Sequence, residues 1–152
     1  AVIILVSKKN HIFKSIHEEK GSGIGEITYP LGFAISAFLI WPLSIIAYQG
    51  SCLILGLSDG LAGYVGKIYG KKKYYVLGGI KTIEGSGIFL LSTVIIFCIY
   101  YFLYTTGISG FGILLLLVCA LGVTVAEAVL PYGWDNLVIP MVAGSALLLI
   151  IP

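Results

Sequence analysis

Five apolar runs of about 15 to 20 residues, separated by short polar loops, decide what this chain can fold into. They fall at roughly 31–48, 51–65, 87–104, 111–130 and 137–151. A helix crosses the hydrocarbon core with ~20 apolar residues, and with fewer when it is short or partly covered by neighbours. With 59% hydrophobic and 11% charged residues among 152, no soluble core of this size could hide so much apolar surface, so lipid must be part of the solvent. The expected fold is all-α: a polytopic integral membrane protein with about five full transmembrane helices, forming one domain over 1–152. The opening AVIILV reads as the cytosolic end of a further, partial N-terminal helix. It lacks the basic flank and cleavage site of a signal peptide. Without an initiator methionine, the chain reads as a fragment or a processed form.

Charge is distributed as unevenly as hydrophobicity. Every basic residue is a lysine, and all lie in two loops: Lys8, Lys9, Lys14 and Lys20 in the first, Lys67, Lys71, Lys72, Lys73 and Lys81 in the second. The positive-inside rule places both loops in the cytosol. The uncharged connections at 49–51 and 105–110 then fall outside, and 131–136 returns to the cytosolic face. Glu18, Glu19, Glu26, Asp59, Glu84, Glu127 and Asp135 are all the acids present, and each lands on or just inside that same face. Acids and bases gathered at one membrane surface point to a charged, metal-bound cytosolic ligand. Cys52, Cys98 and Cys119 stand apart in apolar runs, without metal-ligand spacing, and read as packing residues. His11 and His17 read as solvated loop residues.

Three clusters carry the chemistry. Asp59 lies about two turns into the run that begins near Ser51. A carboxylate at the bilayer centre costs ~2.5–3.5 kcal/mol on insertion scales, so it needs a partner unless the helix has already reached water. Gly56, Gly60, Gly63 and Gly66 surround Asp59 with small residues and favour a functional role. The Gly56-x-x-x-Gly60 spacing also fits close helix packing, and both readings can hold, since a missing Cβ admits a helix or a phosphate. Lys71, Lys72 and Lys73 read as an anchor to anionic headgroups. Lys67 and Lys81 each stand beside a glycine-rich turn and an acid, which makes them candidate phosphate contacts.

In GGIKTIEGS the next helix is expected to open at about Ser86. Lys81, Thr82, Gly85 and the free N–H groups of a helix start together make an anion site. No Walker A loop, dinucleotide fingerprint, kinase catalytic loop or zinc signature occurs in the chain. In AEAVLPYGWDNLVIP, Glu127 lies among Val, Ala and Leu and needs a partner. Asp135, ahead of Asn136 and the last run, is either a site residue or an N-cap.

In this order, SDGLAGYVGKIYGKKK, KTIEGS and EAVLPYGWDNLVIP resemble the polyprenol kinase family, which includes phytol kinase and dolichol kinase; HEEKGSGIGEITYPLG is a weaker match. The resemblance covers about 18–140. Ser58 departs from the glycine that usually precedes the family's aspartate, and the extra N-terminal spans of many relatives have no counterpart here. What the resemblance implies is a CTP-dependent kinase that phosphorylates the hydroxyl of a long-chain isoprenoid alcohol at the cytosolic membrane face. Joined to the residues above, it assigns Asp59, Glu127 and Glu84 to catalysis and Asp59 and Asp135 to Mg²⁺. Gly60, Gly63, Gly66, Lys67, Lys81, Thr82, Gly85, Ser86 and Asn136 become the nucleotide and phosphate contacts. The implied partners are CTP, the alcohol and membrane lipids, with no nucleic acid; homo-oligomerisation stays open.

Three other classes compete. A CDP-lipid synthase would use the same nucleotide to transfer CMP and would release pyrophosphate. A transporter would show midplane charges or helices broken at corresponding positions of two halves, and the chain shows neither. A purely structural membrane protein leaves Asp59, Glu84, Glu127 and Asp135 without a reason.

Overall fold

The computed structural model describes residues 22–76, 79–131 and 133–151. The partial helix expected at AVIILV, both histidines and all four lysines of the first loop lie outside the described residues. The described residues form six α-helices and one hairpin: α1 (Ser22–Leu39), α2 (Ile45–Leu53), a π-helical turn (Ile54–Ser58), α3 (Asp59–Tyr69), β1 (Lys73–Val76), β2 (Gly79–Thr82), α4 (Ile83–Tyr104), α5 (Gly110–Val129) and α6 (Asp135–Ile150).

Among the described residues, three helical stretches are long and apolar enough to cross a membrane: Ile45–Tyr69, Ile83–Tyr104 and Gly110–Val129. The chain is thus a mostly helical membrane protein; of the five expected spans, three have the length and apolarity of a full crossing among the described residues. Ile24–Leu39 and Asp135–Ile150 are apolar and shorter. A helix of 16 residues such as α6 rises about 24 Å, short of the ~30 Å hydrocarbon core. The reason lies in packing: α6 rests on α1, α2 and α5 and buries Ile139, Ala143, Leu147 and Ile150. A helix that is apolar all round belongs in a bundle interior. By contrast α4 and α5 leave Leu91, Ile95, Ile99, Leu114, Val118 and Val125 exposed, as lipid-facing residues require.

The first turn is corrected. Residues 49–51 form no external loop; Gly50 and Ser51 lie buried inside α2, and the chain reverses at 40–44 instead. Pro42 offers no N–H to continue a helix. Ser44 restarts it, its hydroxyl accepting from Ala47 N at 3.2 Å. A Cβ on Gly50 would meet Leu147 Cδ1 at 2.4 Å, so the small residues that resembled a turn form a packing seam against α6. A second seam joins α1 to α6. Pro140 withdraws the donor that would satisfy the Asn136 carbonyl, and that oxygen lies 2.1 Å from where a Gly32 Cβ would be.

The hairpin is an addition to the expected all-α fold. Its strands pair antiparallel, with Tyr74 opposite Lys81 and Lys73 opposite Thr82. Tyr, Val and Ile favour such a pleated, half-buried ribbon. Both Glu84 carboxylate oxygens accept from Lys72 N at 3.2 Å, and Ile83 N donates to Lys72 O at 2.9 Å, which ties the hairpin's base to α4. That helix begins three residues before the expected Ser86, because the Thr82 hydroxyl accepts from Gly85 N at 3.1 Å and caps it earlier.

Candidate active site

A cavity of about 730 Å³ opens where the hairpin meets the ends of the helices. Clefts of 300–1,000 Å³ are the usual size for small-molecule sites. Gly25 of α1 lines it, with Asp59, Gly63, Gly66 and Lys67 of α3, Lys73 and Lys81 of the hairpin, and Thr82, Gly85 and Ser86 at the start of α4. Glu127, from the end of α5, and Gly133, Asp135 and Asn136 at the start of α6 complete the wall. The N-terminal end of α1, the second basic loop and 133–136 therefore share one end of the bundle.

Lys81 is the hub. It is only 7% exposed, an unusual state for a lysine unless its charge is matched. Its ammonium donates to Glu127 Oε1 at 2.8 Å, to the Glu127 carbonyl, and to Asp135 Oδ2 at 3.1 Å. Burial by itself pushes the Lys81 pKa down, but the hydrogen bond and charge of Glu127, joined by Asp135, outweigh it and hold the group above its ordinary value. The acid that needed a partner at 127 thus has one. Its second oxygen accepts from Ser86 Oγ at 3.1 Å, and Ser86 in turn lies 2.7 Å from the Tyr74 hydroxyl.

Asp135 is held from two sides. Oδ1 accepts from Gly133 N at 2.9 Å and from Asn136 N at 3.0 Å, while Oδ2 faces Lys81. It is the first residue of α6 rather than a simple cap, and it fixes the turn through Gly133, whose φ of +93° suits glycine. Asp59 differs. The hydrogen bonds of the cluster run among Lys81, Glu127, Asp135 and Ser86 and leave its carboxylate out. It nevertheless lies within electrostatic reach of Asp135, Glu127 and Lys81. The π turn just before it inserts an extra residue and rotates the following face by ~100°, a device found often at functional sites.

The glycines divide by role. A Cβ on Gly66 would meet Thr82 Oγ1 at 2.7 Å, and one on Gly85 would meet the Ala62 carbonyl at 2.9 Å, so these two let α3 and α4 cross closely. Gly60 and Gly63 meet nothing within 4 Å, and Gly63 lines the cavity. Two expected site residues, Gly60 and Glu84, do not line it. At the helix start, the N–H groups of Ile83 and Gly85 are already engaged, by Lys72 O and Thr82 Oγ1. Sequence reasoning passed over Gly25, Lys73 and Gly133, which do line the cavity. Gly25 stood in the weakest of the matching stretches, and Lys73 was read only as a headgroup anchor.

Among the described residues, no three His, Cys, Asp or Glu side chains are placed to hold one metal ion between them. Mg²⁺ that arrives with a nucleotide asks for less: one or two carboxylates, with phosphate oxygens and waters completing the shell. Asp59, a hard-oxygen donor on the open cavity, fits that requirement. Asp135 fits it with its Lys81 and backbone partners already in place.

Across 97% of its length the chain is 31% identical to a phytol kinase from Synechocystis sp.. It spans about 63% of that protein's length. The likeness supports a polyprenol/phytol kinase-like family, in agreement with the motif resemblance. No family model matches the chain. No solved structure matches it either.

Proposed function

Taking kinship with a phytol kinase as the premise, we propose that this chain carries the site of a lipid-alcohol kinase that moves the terminal phosphoryl group of CTP to the hydroxyl of a long-chain isoprenoid alcohol. The single observation that carries the proposal is the cavity itself. Lysines and carboxylates from five separate segments meet there, at the end of a bundle whose outer helices expose apolar side chains. A water-soluble triphosphate and a membrane-held alcohol can meet at such a place. The reading adds that the cavity faces the cytosol, which rests on the confinement of all lysines to two loops.

Phosphoryl transfer asks a protein mainly for positioning and charge neutralisation. The alcohol oxygen forms a bond to the terminal phosphorus while the bond from that phosphorus to the bridging oxygen breaks, releasing CDP and a proton. Lys67 and Lys73 bring positive charge to the cavity wall where the phosphate oxygens would lie, and Gly63 leaves the backbone open to them. When bound, Mg²⁺ neutralises charge on the phosphates; Asp59, with Asp135 as the second carboxylate at the cavity, would hold it. Lys81 stays charged against Glu127 and Asp135 and adds a buried positive group to the same wall. Glu127 already accepts from Ser86 on one oxygen and from Lys81 on the other, so we assign it first to holding Lys81.

The test is a product analysis. Purified protein is supplied with each terminally labelled nucleoside triphosphate in turn and a panel of lipid alcohols. Label in a lipid monophosphate, with CTP preferred and CDP released, supports the reading. Pyrophosphate and a CDP-lipid would instead identify a cytidylyltransferase.

A further inference from the structure

We infer that Tyr74 is a positioning residue of this site, acting through Ser86 to keep the Glu127 carboxylate on Lys81. Tyr74 Oη and Ser86 Oγ lie 2.7 Å apart, and Ser86 Oγ donates to Glu127 Oε2 at 3.1 Å. A serine hydroxyl has one proton and two lone pairs. With the proton committed to the carboxylate, Tyr74 must donate to Ser86, and the line runs in one direction from tyrosine to serine to glutamate. On the far side of Glu127, Oε1 receives Lys81 at 2.8 Å. Tyr74 and Lys81 are cross-strand partners, so they leave the hairpin on one face and enter the same network at its two ends.

The tyrosine hydroxyl has a definite task there. A serine in a helix otherwise turns its proton onto a carbonyl of the preceding turn. Ser92 does so with Ile88 O at 2.8 Å, and Ser51 with Tyr48 O at 2.7 Å. A donor on the Ser86 lone pair leaves its proton facing Glu127. Tyr74 does not line the cavity, so its effect on any substrate passes through Ser86. Its neighbour Tyr75 is 83% exposed on the other face and serves as the control. The consequence for turnover rests on the lipid-kinase reading; the consequence for Lys81 does not.

The experiment uses the full chain in detergent, as wild type, Tyr74→Phe, Ser86→Ala, the double variant and Tyr75→Phe. The first readout is the rate of reductive methylation of Lys81, followed by mass spectrometry against the exposed Lys72. Tyr74→Phe and Ser86→Ala should each speed Lys81 labelling about tenfold, the scale of one hydrogen bond, and Tyr75→Phe should not. The second readout is lipid phosphate formation. Here kcat should fall about tenfold in either single variant and no further in the double variant, because both act in one line. KM for the alcohol should stay unmoved. Unchanged Lys81 labelling in Tyr74→Phe overturns the inference, as do losses that add in the double variant. Labelling that rises as expected in a protein with no kinase activity upholds the role of Tyr74 and overturns the kinase reading instead.

Discussion

The ammonium of Lys81 lies 2.8 Å from the Glu127 carboxylate, with both side chains at 7% exposure or less. These residues are 46 positions apart in sequence, one on a short strand and the other at the end of a long apolar helix. Their contact joins the hairpin to α5, and Asp135 extends it to α6.

Removal of the lysine should therefore cost the fold more than a surface ion pair would. Lys81→Met leaves two buried carboxylates without their cation, a change of about 3–5 kcal/mol when one partner of a buried pair is deleted. Lys81→Met combined with Glu127→Gln should recover part of the loss. Thermal unfolding in detergent measures both. A Lys81→Met protein as stable as the wild type would mean that the pair is solvated and contributes little.

The same pair sets an alkaline limit. The Lys81 pKa is raised in the fold, so its contribution is complete below the ordinary value of 10.5 and is lost as pH climbs through the raised value. The stability gap between wild type and Lys81→Met should hold steady near neutrality and narrow only above that ordinary value. Melting temperatures of the two proteins across an alkaline series provide the check. A gap that already closes near neutral pH would contradict the raised pKa.

Glycines at the two kinds of position should separate cleanly. Gly32→Ala drives a methyl into the Asn136 carbonyl of a packed seam and should cost about 1–3 kcal/mol, as overpacking does. Gly60→Ala meets nothing within 4 Å and should change stability by no more than about 0.5 kcal/mol. Denaturation midpoints of the two variants decide the matter. Equal midpoints would show that α1 and α6 are not pressed together at Gly32.

Glu84 offers a test of what lines the cavity. Its carboxylate faces Lys72 N outside the cavity wall. Glu84→Ala, at a solvent-exposed contact, should leave the melting temperature close to that of the wild type and keep turnover within about twofold of wild type. A hundredfold loss of turnover would return Glu84 to the chemistry.

Much of this was legible because charge and apolarity are so sharply segregated. The spans over α4 and α5 follow from composition alone. So does the gathering of Asp59, Lys67, Lys81, Glu127 and Asp135 at one end, since each ionisable group is expensive anywhere else in such a chain. What escaped needed three dimensions. Gln49-Gly50-Ser51 has the composition of a turn, and only the pressure of Leu147 reveals a packing seam. The hairpin was hidden because four-residue strands around Gly-Gly resemble a flexible loop. Lys81 was recognisable as a cation near acids, but which acids it meets depends on helices far away in sequence. Tyr74 carried no signal at all until its strand register was known.

The central claim, that the Asp59 cavity is where a phosphoryl group passes to a lipid alcohol, is tested most directly by one rate comparison. Initial rates of lipid phosphate formation are measured at saturating CTP and Mg²⁺ for wild type, Asp59→Asn and Lys72→Ala, each shown to be folded. Asn keeps the shape of the side chain and removes the charge that Mg²⁺ selects. Asp59→Asn should lose at least about a hundredfold, the scale for deleting one preorganised charge-stabilising group. Lys72→Ala, in an exposed run of three lysines, should keep most of the rate. Retention of most activity by Asp59→Asn would contradict the account and leave Asp59 as a residue of the helix alone.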